Sequence, residues 1–335
     1  MSLVASGVGA GPEGSQAEAG LEPKAIEGKS LGRLAWARFR HDKVGMVSLV
    51  VVVLLILAAI IAPIAHALGL IDPYTYQQDL VQGAGSIPTK PWGGIDGDHW
   101  LGVEPQTGRD VFSRLLLGLT LDMSIVISAA ICTVALGTVL GLVAGYFGGR
   151  VDYLLGRLMD LVLAFPLLLM LLALSVVLVD RIAQITHIQG NGSRVIYLIV
   201  VFAAFGWPYF ARIVRGQVLS LREREFVDAA RSLGARPRWV IFKELLPNLW
   251  APVLVYGTTI LPTYVGTEAA LNFLGVGLVP PTPTVGNILA DSVNYAAPVP
   301  TYFFIPGVLL CIVVLSFNLL GDSLRDALDP KSSRS

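Results

Sequence analysis

Long apolar runs alternate with short polar ones along most of the chain. Runs at about residues 44–68, 121–147, 154–179, 195–219, 249–276 and 302–320 each reach the length of about 20 helical residues that a bilayer requires. The pattern predicts an all-α integral membrane protein with six transmembrane helices. Pro166 predicts a kink in the third span, Trp207-Pro208 falls in the middle of the fourth, and Pro252 and Pro262 interrupt the fifth. In the second, Gly137, Gly141 and Gly145 recur every four residues, a small-residue face for close helix packing.

The polar segments divide the chain further. Residues 1–28 are rich in Gly, Ala, Glu and Ser and predict a disordered tail. Residues 29–43 form a basic amphipathic segment with Trp36 and Phe39, suited to the cytoplasmic membrane surface. Residues 69–120 form a polar extracytoplasmic segment. The core, 121–330, carries spans two to six, with a polar loop at 180–194, and residues 331–335 form a C-terminal tail.

The longest polar run within the core is 220–248. Ser220 and Glu223 have the spacing of a capping box, so a helix is expected to start there. Glu223, Glu225 and Asp228 suit its first turns and Arg231 its end. Phe226, Ala229, Ala230 and Leu233 give it one apolar face. Gly234 is expected to take the left-handed stop, Pro237 prevents continuation, and a second helix is expected with Pro247 in its first turns.

Composition supports the membrane reading. Of 335 residues, 54% are hydrophobic and 14% charged, against about 25% charged in soluble domains. A formal net charge of zero gives no argument for a nucleic-acid partner. Cys132 and Cys311 fall in apolar runs and read as small buried hydrophobes. Lys and Arg concentrate in alternate segments: 29–43, Arg150 and Arg157, Arg212 through Lys243, and Arg325 onward. Because such residues favour the cytoplasm, both termini and the 220–248 stretch are expected inside a plasma membrane of bacterial type.

Reactive chemistry is missing from the sequence. There is no zinc motif and no serine-nucleophile elbow, and His41, His66, His99 and His187 lie far apart. Gly28-Lys29-Ser30 ends like a phosphate loop, but Pro23 stands where the first Gly belongs. No cofactor, metal or catalytic residue is expected. Ionisable or amide groups within spans are candidates for a substrate path; Glu268 and Asn272 are weighed for that role, whereas Asp160 and Asn318 read as interhelical or interfacial groups.

Several motifs carry a family resemblance. Asp228-Ala229-Ala230, Gly234 and Leu246-Pro247 resemble the EAA loop of ATP-binding-cassette (ABC) importer permeases, with Asp228 where Glu is usual. LGVEPQTGRDVFSRLLLG (Leu101 to Gly118), PPTPTVGNIL and NLLGDSLRDALDP (Asn318 to Pro330) resemble the C-type subunits of dipeptide and oligopeptide permeases. Here Val103-Glu104 replaces Thr-Asp, Thr120 and Asp122 fall where Arg and Ser are common, and Thr284-Val285 stand for Ser-Trp. The resemblance implies a type I importer permease fold and a non-enzymatic subunit. Its expected partners are a B-type permease in a heterodimer, two cytoplasmic ATPase subunits and an extracytoplasmic substrate-binding protein. Phe226, Asp228, Ala229, Ala230, Leu233, Gly234, Leu246 and Pro247 would then couple to the ATPase. The same family carries nickel, glutathione and oligosaccharides, which remain alternatives to peptides. Rival readings are an ion-coupled secondary transporter, for which no internal repeat and no acid pair at the midplane is evident, and a membrane-embedded enzyme or scaffold.

Overall fold

The computed structural model describes residues 31–83 and 85–328. The tails at 1–28 and 331–335 and the Gly28-Lys29-Ser30 sequence lie outside the described residues.

The basic segment forms helix α1 (Leu31–His41), and the first span forms α2 (Lys43–Ala67). Asp42 separates them by accepting the Val44 N–H at 3.0 Å, an N-cap that satisfies one free donor of α2. Val50, Leu54, Leu57, Ile61 and Ile64 of α2 are exposed; an apolar stripe on that scale belongs against lipid. Between α2 and the second span the chain makes a small hairpin of β1 (Val81–Gln82) and β2 (Ile87–Pro88), then a single turn, α3 (Pro91–Gly94).

The second span is longer than its apolar run. Helix α4 (Val111–Phe147) begins before the expected start at residue 121. Asp110 caps it there, accepting the Ser113 N–H at 2.7 Å and the Ser113 hydroxyl at 2.5 Å. A cap fixes a helix start in a way that hydropathy does not register.

The expected third span is two helices rather than one kinked helix. These are α5 (Gly149–Leu163) and α6 (Leu167–Thr186). Pro166 has no N–H to donate and pushes Phe165 away from helical geometry, so the helix stops instead of bending. Helix α5 is amphipathic. Its Asp152 receives the Arg215 guanidinium, and its Asp160 receives Arg212 and lies 3.8 Å from Arg157. Since α6 runs on to Thr186 and α7 (Asn191–Leu221) begins at once, the polar loop expected at 180–194 is reduced to 187–190.

After α7 come α8 (Glu225–Ser232), α9 (Pro237–Trp239), a π-helical piece (Val240–Leu245), α10 (Leu246–Asn248), α11 (Trp250–Phe273), α12 (Val285–Ser292) and α13 (Pro300–Leu328). Among the described residues five helices, α2, α4, α6, α7 and α13, are long and apolar enough to cross a membrane. Helix α11 occupies the place of the expected fifth span, but Pro262, Glu268, Asn272 and several threonines dilute its apolar character. Cys132 and Cys311 are exposed, not buried. They sit on outward surfaces of α4 and α13, beside the exposed Ile131 and Ile312, so an apolar run in sequence does not imply burial within the chain.

The core lies among α2, α4, α6, α7, α11 and α13, around Ile125, Ala129, Leu171, Tyr197, Phe202 and Leu271. Helices α4 and α7 form its tightest seam. A Cβ on Gly141 would stand 2.6 Å from the Ala211 carbonyl oxygen and 2.8 Å from Val214 Cβ, and one on Gly145 would stand 2.7 Å from Val218 Cβ. The glycine stripe is therefore a packing face. Gly141→Leu is expected to lower stability by about 1–3 kcal/mol through overpacking, read as a lower melting temperature of the purified protein. Gly216→Ala, on the same seam's partner helix with nothing within 4 Å of its added Cβ, should not lower it.

Candidate coupling site

Helix α8 does not start as the sequence suggests. Ser220 belongs to the end of α7, and the α8 N-cap is Arg224, in extended conformation and without a side-chain cap bond. The apparent capping box is overridden because α7 runs on through Leu221. Glu225 and Asp228 remain in the first turn of α8 and Arg231 in its last, which suits the helix dipole.

The apolar residues of α8 divide between two faces. Val227 and Ala230 are buried, against Leu142 of α4, Val218 of α7 and Val240, Leu245 and Leu249 of the following leg. Phe226, Ala229 and Leu233 point outward, Leu233 with 89% of its surface exposed. Ala230 thus belongs to the inner face, a correction to the single face expected from spacing. Val227, its partner there, lies outside the set that the spacing picks out. Trp239 and Phe242 on the second leg are exposed as well.

Two contacts fasten this unit to the end of α4. Arg222, just past α7, donates to the Gly145 carbonyl at 3.0 Å. Arg231 of α8 lies over the Tyr146 ring, 5.4 Å from its centroid. The inner face and these two arginines make α8 one block with the ends of α4 and α7.

The turn after α8 is a Schellman motif. Gly234 has φ of +81°; Ala235 N–H bonds the Ala230 carbonyl at 3.0 Å and Gly234 N–H the Arg231 carbonyl at 2.9 Å. The chain then turns at Pro237 into the second leg. That leg begins ten residues before Pro247 in sequence number, so Pro247 opens only its last piece, α10, and not the leg itself. Leu246 is half-buried and Pro247 exposed, while Leu245 and Leu249 anchor the leg inside.

The path candidates Glu268 and Asn272 are 1% and 2% exposed. They do not face an open cavity in this structure. Asn272 donates to the Glu268 carboxylate through Nδ2 and accepts the Leu278 N–H at 2.7 Å through Oδ1. Asp122 of α4 is buried as well, and its Oδ2 accepts the Val285 N–H at 2.9 Å.

Comparison with known proteins identifies the class to which this arrangement belongs. Residues 137–334 match the family described as binding-protein-dependent transport system inner membrane component. Residues 30–84 match the N-terminal transmembrane domain of oligopeptide transport permease C. The oligopeptide transport system permease protein OppC of Bacillus subtilis is 36% identical over 302 residues, covering 90% of each chain. The glutathione transport system permease protein GsiD of Escherichia coli is 35% identical over 300 residues, covering 88% of this chain and 89% of that one. Among solved structures, an inward-facing MetNI methionine ABC transporter chain has a TM-score of 0.50 at 20% identity, covering 65% of this chain and 97% of that one, a likeness of fold. Matched over most of its length by one family and over nine tenths of it by the OppC relative, the chain belongs to the inner-membrane components of binding-protein-dependent transport systems and has the type I importer permease fold.

Proposed function

We propose that this chain is one of two permease subunits of an ATP-driven peptide importer. It forms half of the path and receives force from cytoplasmic ATPases through α8. The observation that carries this reading is the outward apolar surface of Phe226 and Leu233 on a helix whose inner face is fixed to α4 and α7. A groove on an ATPase subunit would cover Leu233, and movement of that groove would displace the ends of two long helices together. ATP hydrolysis belongs to those separate subunits. A B-type permease completes the path, and a substrate-binding protein delivers the solute from outside. With α11 as a span beside the five more apolar helices, there are six crossings and both termini are cytoplasmic.

Peptides are the substrate class of the oligopeptide relative, and glutathione is itself a small peptide. Reconstitution with the partner permease, ATPases and binding protein tests the whole assignment: ATP-dependent uptake of short peptides is expected, and uptake of nickel or oligosaccharide instead would replace the substrate class. Orientation has its own test. In a background lacking Cys132 and Cys311, Arg231→Cys should react with an impermeant thiol reagent only from the cytoplasmic side. Gln82→Cys should react only from the other side. Labelling of both from one side would overturn the proposed crossings.

A further inference from the structure

Helix α1 carries Arg33, Arg38, Arg40 and His41 and no acidic residue, and Lys43 follows at the start of α2. Arg33, Trp36 and Arg40 recur at i, i+3 and i+7, so the two arginines flank Trp36 on one side of the helix. Arg33, Arg40 and Lys43 are exposed, and among the described residues none of the three enters an ion pair. Asp42, between α1 and α2, is the nearest acid in sequence, and its carboxylate holds the Val44 N–H.

An apolar groove runs beside these cations. Ala35, Trp36 and Phe39 of α1 form one wall, Trp250 and Leu254 of α11 a second, and Leu324 of α13 a third; no charged residue lines it. Its volume is about 240 Å³, below the roughly 300–1,000 Å³ of a small-molecule pocket. Phe39 is buried, and Trp36 stacks on it with ring centroids 5.9 Å apart. Trp36, Trp250 and Leu254 still leave 57%, 45% and 43% of their surface open, an apolar lining that the described chain does not cover. The acids of α13, Asp322 and Asp326, fall about 160° round that helix from Leu324.

We propose that this groove holds one acyl chain of an anionic phospholipid, whose phosphate is bound by Arg33 and Arg40. Only Asp42 separates α1 from α2, so the groove stands at the membrane end of α2, on whichever side the N-terminus lies. Trp36 and Trp250 are of the residue type that sits at headgroup level, and an interfacial helix buries its apolar face about 5–10 Å below that level, the depth of the first acyl carbons. A guanidinium offers phosphate two parallel N–H donors. The two features together select an amphiphile. A free phosphate would leave Trp250 and Leu254 uncovered, and a neutral apolar segment of protein would leave the arginines unmatched. The bound lipid joins α1 to the start of α11, directly after the coupling leg, and to the end of α13.

Native mass spectrometry of the purified full chain tests the site, with phosphatidylglycerol and phosphatidylcholine of identical acyl chains as the probes. One phosphatidylglycerol should stay bound under conditions that strip phosphatidylcholine. Arg33→Gln/Arg40→Gln should weaken its binding by roughly 25-fold, about fivefold for each cation removed. Gly32→Leu tests the groove itself. Gly32 lines it, and a Cβ there meets nothing within 4 Å, so the new side chain takes the acyl chain's space without straining α1. That variant should weaken phosphatidylglycerol binding by about tenfold or more. Glycerol phosphate, an anion without a chain, should not displace the lipid. Equal retention of the two lipids by the wild type would overturn the proposal, and so would displacement by glycerol phosphate, the mark of a free-anion site. Binding that survives Arg33→Gln/Arg40→Gln, or that survives Gly32→Leu, would overturn it too, leaving the groove to another segment of protein.

Discussion

Leu233→Asp is expected to separate the permease from its ATPase subunits on purification, leaving the permease itself folded. The side chain is 89% exposed, at the end of a helix whose stability comes from the opposite face. Changing it removes nothing from the subunit's own core. In the assembled transporter the same side chain is to be buried, and burying a Leu-sized group contributes roughly 1.5–3 kcal/mol. The substitution forfeits that contribution and places a carboxylate in a desolvating groove, where an unpaired charge is costly. A loss of a few kcal/mol is a hundredfold or more in affinity at about 1.4 kcal/mol per factor of ten. Pull-down of the ATPase subunits with the tagged permease checks this. Ala230→Asp is the contrast: Ala230 is 7% exposed within the subunit, so that variant should damage the permease fold itself, seen as poor yield before any question of assembly arises.

Glu104→Ala is expected to destabilise the protein by about 3–5 kcal/mol, the size seen when one partner of a buried ionic network is removed. Glu104 is 3% exposed and stands at the centre of a network joining the segment before α4 to α12 and α13. It accepts Arg109 Nε and the Thr107 hydroxyl, each at 2.6 Å, and the Tyr302 hydroxyl at 3.0 Å. Arg114 Nε lies 3.2 Å away, too poorly aligned for a hydrogen bond, so its link to Glu104 is electrostatic. Tyr302 also meets Asp291 at 2.9 Å, and burial pushes the Asp291 carboxyl above its usual range. Without Glu104 two buried guanidinium groups lose their principal anion. Glu104→Gln keeps an acceptor for Arg109 but no charge, and should fall between wild type and Ala. Thermal unfolding of the purified protein orders the three; a Glu104→Ala protein as stable as wild type would show that the network adds nothing.

The legible parts of this molecule are those in which a local rule has no competitor. Gly234 is one: a stop with φ of +81° favours a residue without a Cβ, and the spacing to Asp228-Ala229-Ala230 marks it. The glycine stripe of α4 is another, since its period matches the seam with α7. Spacing puts Leu233 on an apolar face of α8, but it does not tell which apolar face the chain itself covers. Both Phe226-Ala229-Leu233 and Val227-Ala230 have helical periodicity, and only the tertiary fold, through Val218 and Leu245, buries the second. Pro166 predicts a kink from sequence, but proline permits either a bend or a break. The ion pairs of Asp152 and Asp160 with α7, which hold α5 as a separate helix, join residues distant in sequence. The bond from the Val285 N–H of α12 to Asp122 of α4 is out of sight for the same reason.

The central claim, that ATP hydrolysis is transmitted through a rigid α8 and its fixed turn, is tested most directly by the amount of peptide moved per ATP hydrolysed in proteoliposomes. Gly234 is the position to vary. A Cβ there meets nothing within 4 Å, so a substitution changes the backbone angle and removes no contact. A β-branched residue is a poor fit at positive φ, whereas Asn tolerates it. Gly234→Val should therefore assemble with the ATPases and hydrolyse ATP while moving little peptide, and Gly234→Asn should keep most of the wild-type ratio. A Gly234→Val transporter that assembles and moves as much peptide per ATP as wild type would contradict the account, because force would then reach the helices by another route.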